Sequence, residues 1–264
     1  MLRLRFEQLL GALLWYVYRL FRWRVFQAAT EHTPVGLNVG SSARVMDGWV
    51  NLDRTINVLV ARVLFLPRAL YKLGKLDAEK YGQFRDGRWA RVSYWDVRYP
   101  LPFDSNTFGY IYSSHVIEHL ELDVCKLLLK ECYRVLRPGG TLRLVVPDLF
   151  LSASQYVDSI RRLERGEVQA TTTVSYLQQP VVIEQLTDRF VHEIFEPDPL
   201  RRQAFGHVWM YDCVSLSRRL REIGFEAICR RDYREGNTPN LDWLDFRPEN
   251  SLHLEARKPT GKGS

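Results

Sequence analysis

The chain has 264 residues, of which 46% are hydrophobic and 26% charged. This length suits one large α/β domain, and the composition excludes a collagen-like, coiled-coil or wholly disordered protein. Lysine and arginine outnumber the acids by 37 to 31, which gives a formal net charge of +6. The four cysteines form no C-x-x-C pair, so the sequence predicts reduced thiols and a cytosolic compartment.

Residues 1–30 differ from the rest of the chain because they are basic and rich in aromatic residues. The apolar run Leu9–Tyr18 is only ten residues long, whereas a membrane-spanning helix needs about 20. Three arginines follow this run, which disfavours a signal peptide. We therefore predict an N-terminal helix that either lies on an anionic membrane surface or packs against protein.

From residue 36 onwards, short apolar runs alternate with helical patterns. Residues 122–136 show helical spacing, and Arg137–Gly140 (RPGG) is expected to end that helix. The apolar residues of the stripe are Leu122, Cys125, Leu128, Leu129, Cys132 and Leu136. This alternation predicts a doubly wound, mostly parallel sheet. The predicted strands are 36–40, 49–53, 91–95, 108–113, 141–146, 225–229 and 251–257, with a further helix at 214–223.

The predicted domain covers residues 31–258, followed by a tail at 259–264, and two stretches of it interrupt the alternation. Ile56–Lys75 is apolar and basic without an acid, which indicates either a buried helix or a second membrane-contacting element. Residues 149–210 are predicted to be a helical insertion between two strands. Ligands of open α/β sheets bind at the carboxyl ends of the strands, so this insertion is expected to cover the site.

A turn of small residues, Gly40-Ser41-Ser42, follows the first predicted strand, and Asp53 ends the second. A small-residue turn lets a ligand approach the backbone closely. Both the G-x-G-x-x-G fingerprint and the G-x-x-x-x-G-K-[ST] phosphate loop are absent from the sequence. The pattern therefore suits a ribose-bearing ligand without a pyrophosphate, with Asp53 accepting from both ribose hydroxyls. The alternative is that Asp53 only caps a turn or helix.

Three linked segments carry a family resemblance: LNVGSS…GWVNLD, YWDVRYPLPFDSNTFGYIYSSHVIEHL and LLLKECYRVLRPGGTLRLVVPDL. Together they resemble class I S-adenosylmethionine-dependent methyltransferases, of the type 11-like group found in bacterial sugar and cell-envelope biosynthesis. The resemblance covers residues 36–148 and 207–258. It implies a Rossmann-like, seven-stranded sheet whose last strand is antiparallel, and S-adenosylmethionine as cofactor.

The resemblance also implies which residues would contact the cofactor. Gly40 and Ser41 would face its methionine part. The sequence departs from the pattern at Ser42, where a second glycine is usual, and at Gly109, where an acid is usual. These departures keep open a non-catalytic protein that uses the fold for assembly or regulation. The remaining implied contacts are Asp53 with the ribose, Asp96 and Val97 with the adenine, and Ser114 and His115 with the pocket wall.

Residues 115–119 read His-Val-Ile-Glu-His, which matches the H-x-x-E-H zinc-protease motif. On a helix, His115 and His119 would share a zinc ion while Glu118 activated water. The motif follows an apparent strand instead, and it also belongs to the methyltransferase-like pattern. We therefore predict no metal ligand here.

Methyl transfer to a hydroxyl group needs a general base in addition to positioning. The candidates are His115, Asp148 and His207. Each has an alternative structural role: His115 shapes the cofactor pocket, Asp148 caps the helix that follows it, and His207 packs beside Trp209.

These patterns predict a cytoplasmic enzyme, peripheral to the membrane if residues 1–30 bind it, that O-methylates a small-molecule, glycan or lipid-linked acceptor. Polysaccharide biosynthesis is the expected setting. The first 30 residues carry five basic residues and one acid, whereas residues 31–256 carry 29 basic and 30 acidic residues. Because the basic charge is not spread over the domain, it argues against a nucleic-acid partner. The acceptor and the oligomeric state are not encoded in any pattern that we identify.

Overall fold

The computed structural model describes residues 35–165, 171–174, 179–182, 206–247 and 250–261. The predicted helix over residues 1–30 lies outside the described residues, as do positions 262–264 of the predicted tail. The chain divides into two compact units, with the boundary after Asp96. The predicted domain over residues 31–258 therefore contains parts of both units.

Over residues 35–96, the first unit contains three parallel strands, and the helices described there connect the second strand to the third. The register pairs Gly36 with Trp49 and Leu52 with Ser93. Leu37, Val39 and Leu52 have no exposed surface, as expected for a parallel sheet covered on both faces. The elements are β1 (Gly36–Val39), β2 (Trp49–Asp53), α1 (Ile56–Val60), α2 (Leu66–Lys72), α3 (Ala78–Arg85), a 3₁₀ turn (Trp89–Arg91) and β3 (Ser93–Tyr94).

The second unit contains the other four strands of the main sheet and a separate two-stranded hairpin. Its strands are β4 (Phe108–Ser114), β5 (Leu136–Pro147), β6 (Thr171–Val174), β7 (Gln179–Val182), β8 (Glu226–Arg231) and β9 (Ser251–Arg257). Its helices are a 3₁₀ turn (Ile117–His119), α4 (Leu122–Val135), α5 (Leu149–Glu164), α6 (Cys213–Ile223) and α7 (Leu241–Leu244).

The main sheet has seven strands in the order β3-β2-β1-β4-β5-β9-β8. β4 and β5 are parallel, whereas β9 is antiparallel to both of its neighbours, β5 and β8. The predicted Rossmann-like sheet, with seven strands and an antiparallel last strand, is therefore confirmed.

Helices α4 and α6 follow the sequence patterns closely. Four residues of the predicted stripe on α4 are buried: Cys125, Leu128, Leu129 and Cys132. Helix α6 begins with a capping box in which Asp212 accepts from the Ser215 amide while the Ser215 hydroxyl accepts from the Asp212 amide. It ends at Gly224, whose φ of 110° is accessible to glycine at little cost. Local signals of this kind define the ends of this helix.

Two predictions between residues 137 and 182 need correction. Arg137–Gly140 (RPGG) does not separate the helix from a strand at 141–146, because β5 runs continuously from Leu136 to Pro147. The insertion at 149–210 is not helical throughout. After α5, residues 171–174 and 179–182 pair as an antiparallel hairpin, in keeping with the β-branched residues of TTTV and PVV.

The predicted single element over Ile56–Lys75 is instead two short helices, α1 and α2. Pro67 lies in the first turn of α2, where its missing amide proton is tolerated. Val58 is buried, but Leu64 is 98% exposed and Phe65 72% exposed. The segment is therefore not a buried helix.

A fully buried arginine crosses the centre of the second unit. Arg143 on β5 has no exposed side-chain surface and forms ion pairs with Asp245 and Glu255. Its Nη1 also donates to the Glu235 carbonyl at 2.8 Å. A buried charge is tolerated only when it is paired and hydrogen-bonded, so this network fixes β5, β9 and the segment before α7 as one body.

The close approach of β1 and β2 provides a stability test. A Cβ atom on Gly36 would lie 2.6 Å from the Trp49 ring, whereas one on Gly82 of α3 would meet nothing within 4 Å. We expect Gly36→Ala to lower the free energy of unfolding by about 1–3 kcal/mol. The control Gly82→Ala should raise it by about 0.5–1 kcal/mol, because alanine favours the helix. Urea unfolding measures both, and equal effects would contradict the predicted contact.

His253 makes the stability depend on pH. Burial lowers the pKa of His253 below its usual value, and the nearby Asp245 carboxylate offsets this only in part. In the unfolded chain His253 binds a proton as the pH falls through about 6.5, whereas in the folded chain it binds one only at lower pH. The free energy of unfolding should therefore decrease below about pH 6.5. Denaturant titrations between pH 8 and 5 should show a smaller drop for His253→Asn. Equal drops in the two proteins would refute this linkage.

Candidate active site

The loop after β1 folds back onto the end of β2. The Gly40 and Ser41 amides both donate to the Leu52 carbonyl, at 2.8 and 2.9 Å. Gly40 has a φ of 71° and Ser42 a φ of 49°, so the serine occupies a left-handed conformation that glycine adopts more readily. Ser42 is exposed. The serine at the second glycine position therefore preserves the turn.

Asp53 ties this loop to the end of β2. Its Oδ2 accepts from the Ser42 amide at 2.8 Å, and its Oδ1 accepts from the Thr55 amide at 2.7 Å. Burial raises the pKa of Asp53, and these backbone hydrogen bonds partly offset the rise. Each carboxylate oxygen can accept more than one hydrogen bond. Asp53 thus caps the turn, as one interpretation predicted, and keeps acceptor capacity for a ligand hydroxyl.

Two buried asparagines, Asn38 and Asn51, organise the same loop and were not predicted as site residues. Asn38 Nδ2 donates to the Arg44 carbonyl at 3.0 Å and to Asn51 Oδ1 at 3.2 Å. Asn51 Nδ2 donates to the Met46 carbonyl at 3.1 Å. An ionised acid at position 38 could not donate these bonds. The sequence feature that could have identified them is a side-chain amide in the middle of each apolar strand.

Asp96 lies at the end of the first unit and is buried. Its Oδ2 lies 3.5 Å from Arg54 Nη1. The pairing of Asp53 with Tyr94 brings the end of β3 beside the end of β2. The first unit therefore places the predicted ribose residue, Asp53, and the predicted adenine residue, Asp96, at one sheet edge.

The second unit begins with Val97, which is half-buried. Ser114 is the last residue of β4, and His115 follows it. His115 has a φ of 54°, and its amide donates to the Val145 carbonyl at 2.8 Å. Its ring Nε2 lies 3.2 Å from Ser251 Oγ and its Nδ1 lies 3.0 Å from Glu118 Oε1. Both ring nitrogens are therefore held in fixed directions.

Asp148 has the capping role that was its predicted alternative. Its Oδ1 accepts from the amides of Phe150 and Leu151, at 3.1 and 3.3 Å, at the start of α5. Its Oδ2 lies 3.0 Å from Arg230 Nη2. These contacts supply structural partners for both oxygens, and its role as a base stays a prediction.

His207 belongs to a polar cluster around Glu118. The Glu118 carbonyl accepts from the amides of Val208 and Trp209, at 2.8 and 3.1 Å, which holds the 206–209 segment beside the 3₁₀ turn. The rings of His119 and His207 have centroids 5.3 Å apart. The structure thus groups Glu118, His119 and His207, and it places His115 Nδ1 3.0 Å from the same carboxylate.

The H-x-x-E-H segment does not have the geometry of a zinc-protease helix. Ile117–His119 forms a single 3₁₀ turn, and His115 precedes it in the left-handed region. His115 and His119 therefore do not lie one helical turn apart on a common face, as the motif requires. Glu118, predicted there to activate water, is fully buried.

Comparison with known proteins places a family domain on this sheet. Residues 77–144 match the family described as "Methyltransferase domain". The matched segment runs from α3 to β5 and includes β4 with the Ser114–His119 region. No match was found among curated proteins. The family match supports a class I methyltransferase domain with S-adenosylmethionine as cofactor.

Several solved structures are similar to the chain at 12–14% sequence identity. A possible exported protein from Bordetella parapertussis has a TM-score of 0.43, with 88% of this chain and 65% of that chain covered. The S-adenosylmethionine-dependent methyltransferase SibL has a TM-score of 0.42, with 87% and 51% covered. Phosphoethanolamine N-methyltransferase 2 of Haemonchus contortus, solved with S-adenosylmethionine, has a TM-score of 0.42, with 89% and 51% covered. The chain thus spans half to two thirds of these proteins.

Proposed function

We propose that the chain is an S-adenosylmethionine-dependent methyltransferase that methylates a hydroxyl oxygen of a small-molecule, glycan or lipid-linked acceptor. The observation that carries this proposal is the methyltransferase-domain match over residues 77–144, on a seven-stranded sheet whose last strand is antiparallel. Polysaccharide biosynthesis in the cytoplasm remains the proposed setting.

In the first unit, Asp53 would accept hydrogen bonds from the ribose hydroxyls of the cofactor. Its carboxylate is held in place by the Ser42 and Thr55 amides, so little ordering is needed when the ribose binds. Gly40 and Ser41, whose amides face the Leu52 carbonyl, would border the methionine part. Asp96 is proposed as the acceptor for the adenine amino group.

In the second unit, His115 is the proposed general base, while Val97 and Ser114 are proposed cofactor contacts. The bound cofactor supplies a methyl group activated by a sulfonium, so the protein must orient the acceptor and take up its proton. The Glu118 carboxylate, 3.0 Å from His115 Nδ1, favours a proton on that nitrogen. The lone pair of Nε2 then accepts from the Ser251 hydroxyl at 3.2 Å. The hydroxyl of a bound acceptor would take the place of this serine before His115 accepts its proton.

Cofactor titration of the purified full chain tests the proposal. We expect saturable S-adenosylmethionine binding, weakened at least about tenfold in Asp53→Ala, because each lost hydrogen bond to a charged group is worth about 1.5–3 kcal/mol. The control Asp77→Ala removes an exposed carboxylate that also accepts from a backbone amide, that of Lys80, and should bind normally. Ser42→Gly should bind at least as tightly as the unaltered chain.

Thermal unfolding of each variant separates loss of binding from loss of folding. Absence of binding at millimolar cofactor in a folded chain would defeat the enzyme proposal. It would favour the non-catalytic alternative, in which the fold serves assembly or regulation.

We also propose that the enzyme lies peripherally on an anionic membrane, which suits a lipid-linked acceptor. No helix in the described part of the chain is long and apolar enough to span a bilayer. The segment between α1 and α3 exposes Leu64, Phe65 and Leu73. It also carries exposed basic residues at 62, 68, 72 and 75. Exposed apolar side chains beside basic ones are typical of interfacial segments.

Liposome flotation of the full chain tests this contact. We expect the protein to float with vesicles containing phosphatidylserine, and the double variant Leu64→Glu/Phe65→Glu to float less. Val214→Glu, which charges an equally exposed apolar site on α6, is the matched control. Unchanged flotation of the double variant would remove this segment from the membrane proposal.

A further inference from the structure

Glu118 is fully buried, and the described partners of its carboxylate are imidazoles rather than backbone amides. A buried carboxylate without hydrogen bonds is costly unless it is paired with a cation or coordinates a metal. Nδ1 of His115 lies 3.0 Å from Oε1, and Nε2 of His119 lies 3.9 Å from the same oxygen. His207 offers a further ring nitrogen within 4.8 Å of the ligand atoms of Glu118 and His119. A buried carboxylate grouped with two further imidazoles is therefore a candidate cation site.

We propose that Glu118, His119 and His207 bind one divalent transition-metal ion. One carboxylate oxygen and one ring nitrogen from each histidine lie within 4.8 Å of one another. The Glu118 Oε1 and His119 Nε2 atoms are 3.9 Å apart. Two ligands that bind one ion at about 2.0–2.1 Å in tetrahedral geometry are about 3.3 Å apart. Small rotations of the two partly exposed histidine rings close that difference.

The surroundings of His119 favour metal binding through Nε2. Its Nδ1 lies 3.0 Å from the Gly206 carbonyl oxygen. Because a carbonyl can only accept, Nδ1 carries the proton and Nε2 keeps its lone pair on the side of Glu118. Metal-binding histidines are oriented in this way by a backbone carbonyl or a carboxylate.

The donor set selects the class of metal. Two imidazoles and one carboxylate suit Zn²⁺, Co²⁺, Fe²⁺ or Mn²⁺ rather than Ca²⁺ or Mg²⁺, which prefer oxygen ligands alone. Three protein ligands leave at least one coordination position for water or for an oxygen atom of a bound molecule. The backbone bonds from Val208 and Trp209 to the Glu118 carbonyl fix the segment that supplies His207. The site is therefore assembled from two chain segments even before a metal binds.

Cobalt titration of the untagged full chain, first stripped with chelator and dialysed, tests the proposal. We expect one equivalent of Co²⁺ by equilibrium dialysis, visible absorption bands of a four- or five-coordinate ion, and displacement by Zn²⁺. Loss of an outer-shell partner alone weakens a site roughly 10–100-fold. Glu118→Gln, His119→Ala and His207→Ala should therefore each weaken Co²⁺ binding by about 100-fold.

Two variants serve as controls. Glu121→Gln removes an exposed carboxylate from the next turn, and His253→Asn removes an imidazole elsewhere in the unit; both should bind one equivalent with unchanged affinity. His207 is only half-buried, so its alanine variant tests the site even if Glu118→Gln fails to fold. Absence of stoichiometric Co²⁺ binding, or binding that survives His119→Ala and His207→Ala, would overturn the proposal. S-adenosylmethionine titration of the same metal-free protein keeps this result separate from the methyltransferase proposal.

Discussion

The buried charge of Arg143 is the constraint on which the second unit depends. Removing one partner of a buried ion pair typically costs about 3–5 kcal/mol of stability. Asp245 and Glu255 must therefore remain beside Arg143 of β5 in the folded protein. Glu255 is on β9 and Asp245 follows α7, and the network therefore joins three parts of the chain. The same strand supplies the Val145 carbonyl that accepts from the His115 amide. The strand that carries the buried ion network therefore also holds the His115 backbone.

Much of the fold was predictable because its signals are local. The apolar spacing of α4, the capping box of α6 and the β-branched or aromatic runs of the strands each act over a few residues. The predictions that were wrong also came from local patterns, but pairing between strands overrode the local preference of those residues. The RPGG segment reads as a break, yet β5 continues through it because Gly140 lies against β4, where the Gly109 carbonyl leaves no room for a side chain.

The site was less predictable because its contacts join distant positions. Strict alternation in TLRLVV would place Arg143 on a polar face, and its two acidic partners lie 102 and 112 positions further on. His207 meets His119 across 88 positions, through a segment without a recognisable motif. The Asn38–Asn51 pair needed the β1–β2 register to be known. The sequence identified Asp53 and His115 near strand ends and His207 in the insertion, but it did not identify their partners.

Three buried or partly buried carboxylates differ in the hydrogen-bond partners that the protein provides for them, and this difference separates structural from ligand-binding roles. Asp53 and Asp148 each accept from two backbone amides, so the fold itself supports their charge. Glu118 is buried as deeply as Asp148, but backbone amides bond to its carbonyl rather than to its carboxylate. Its charge must be supported by imidazoles or by a cation that they help to hold. Backbone amides support Asp53 and Asp148, whereas the partners of the Glu118 carboxylate are imidazoles, which also bind metal ions, and this difference leads from the geometry to the proposed metal site.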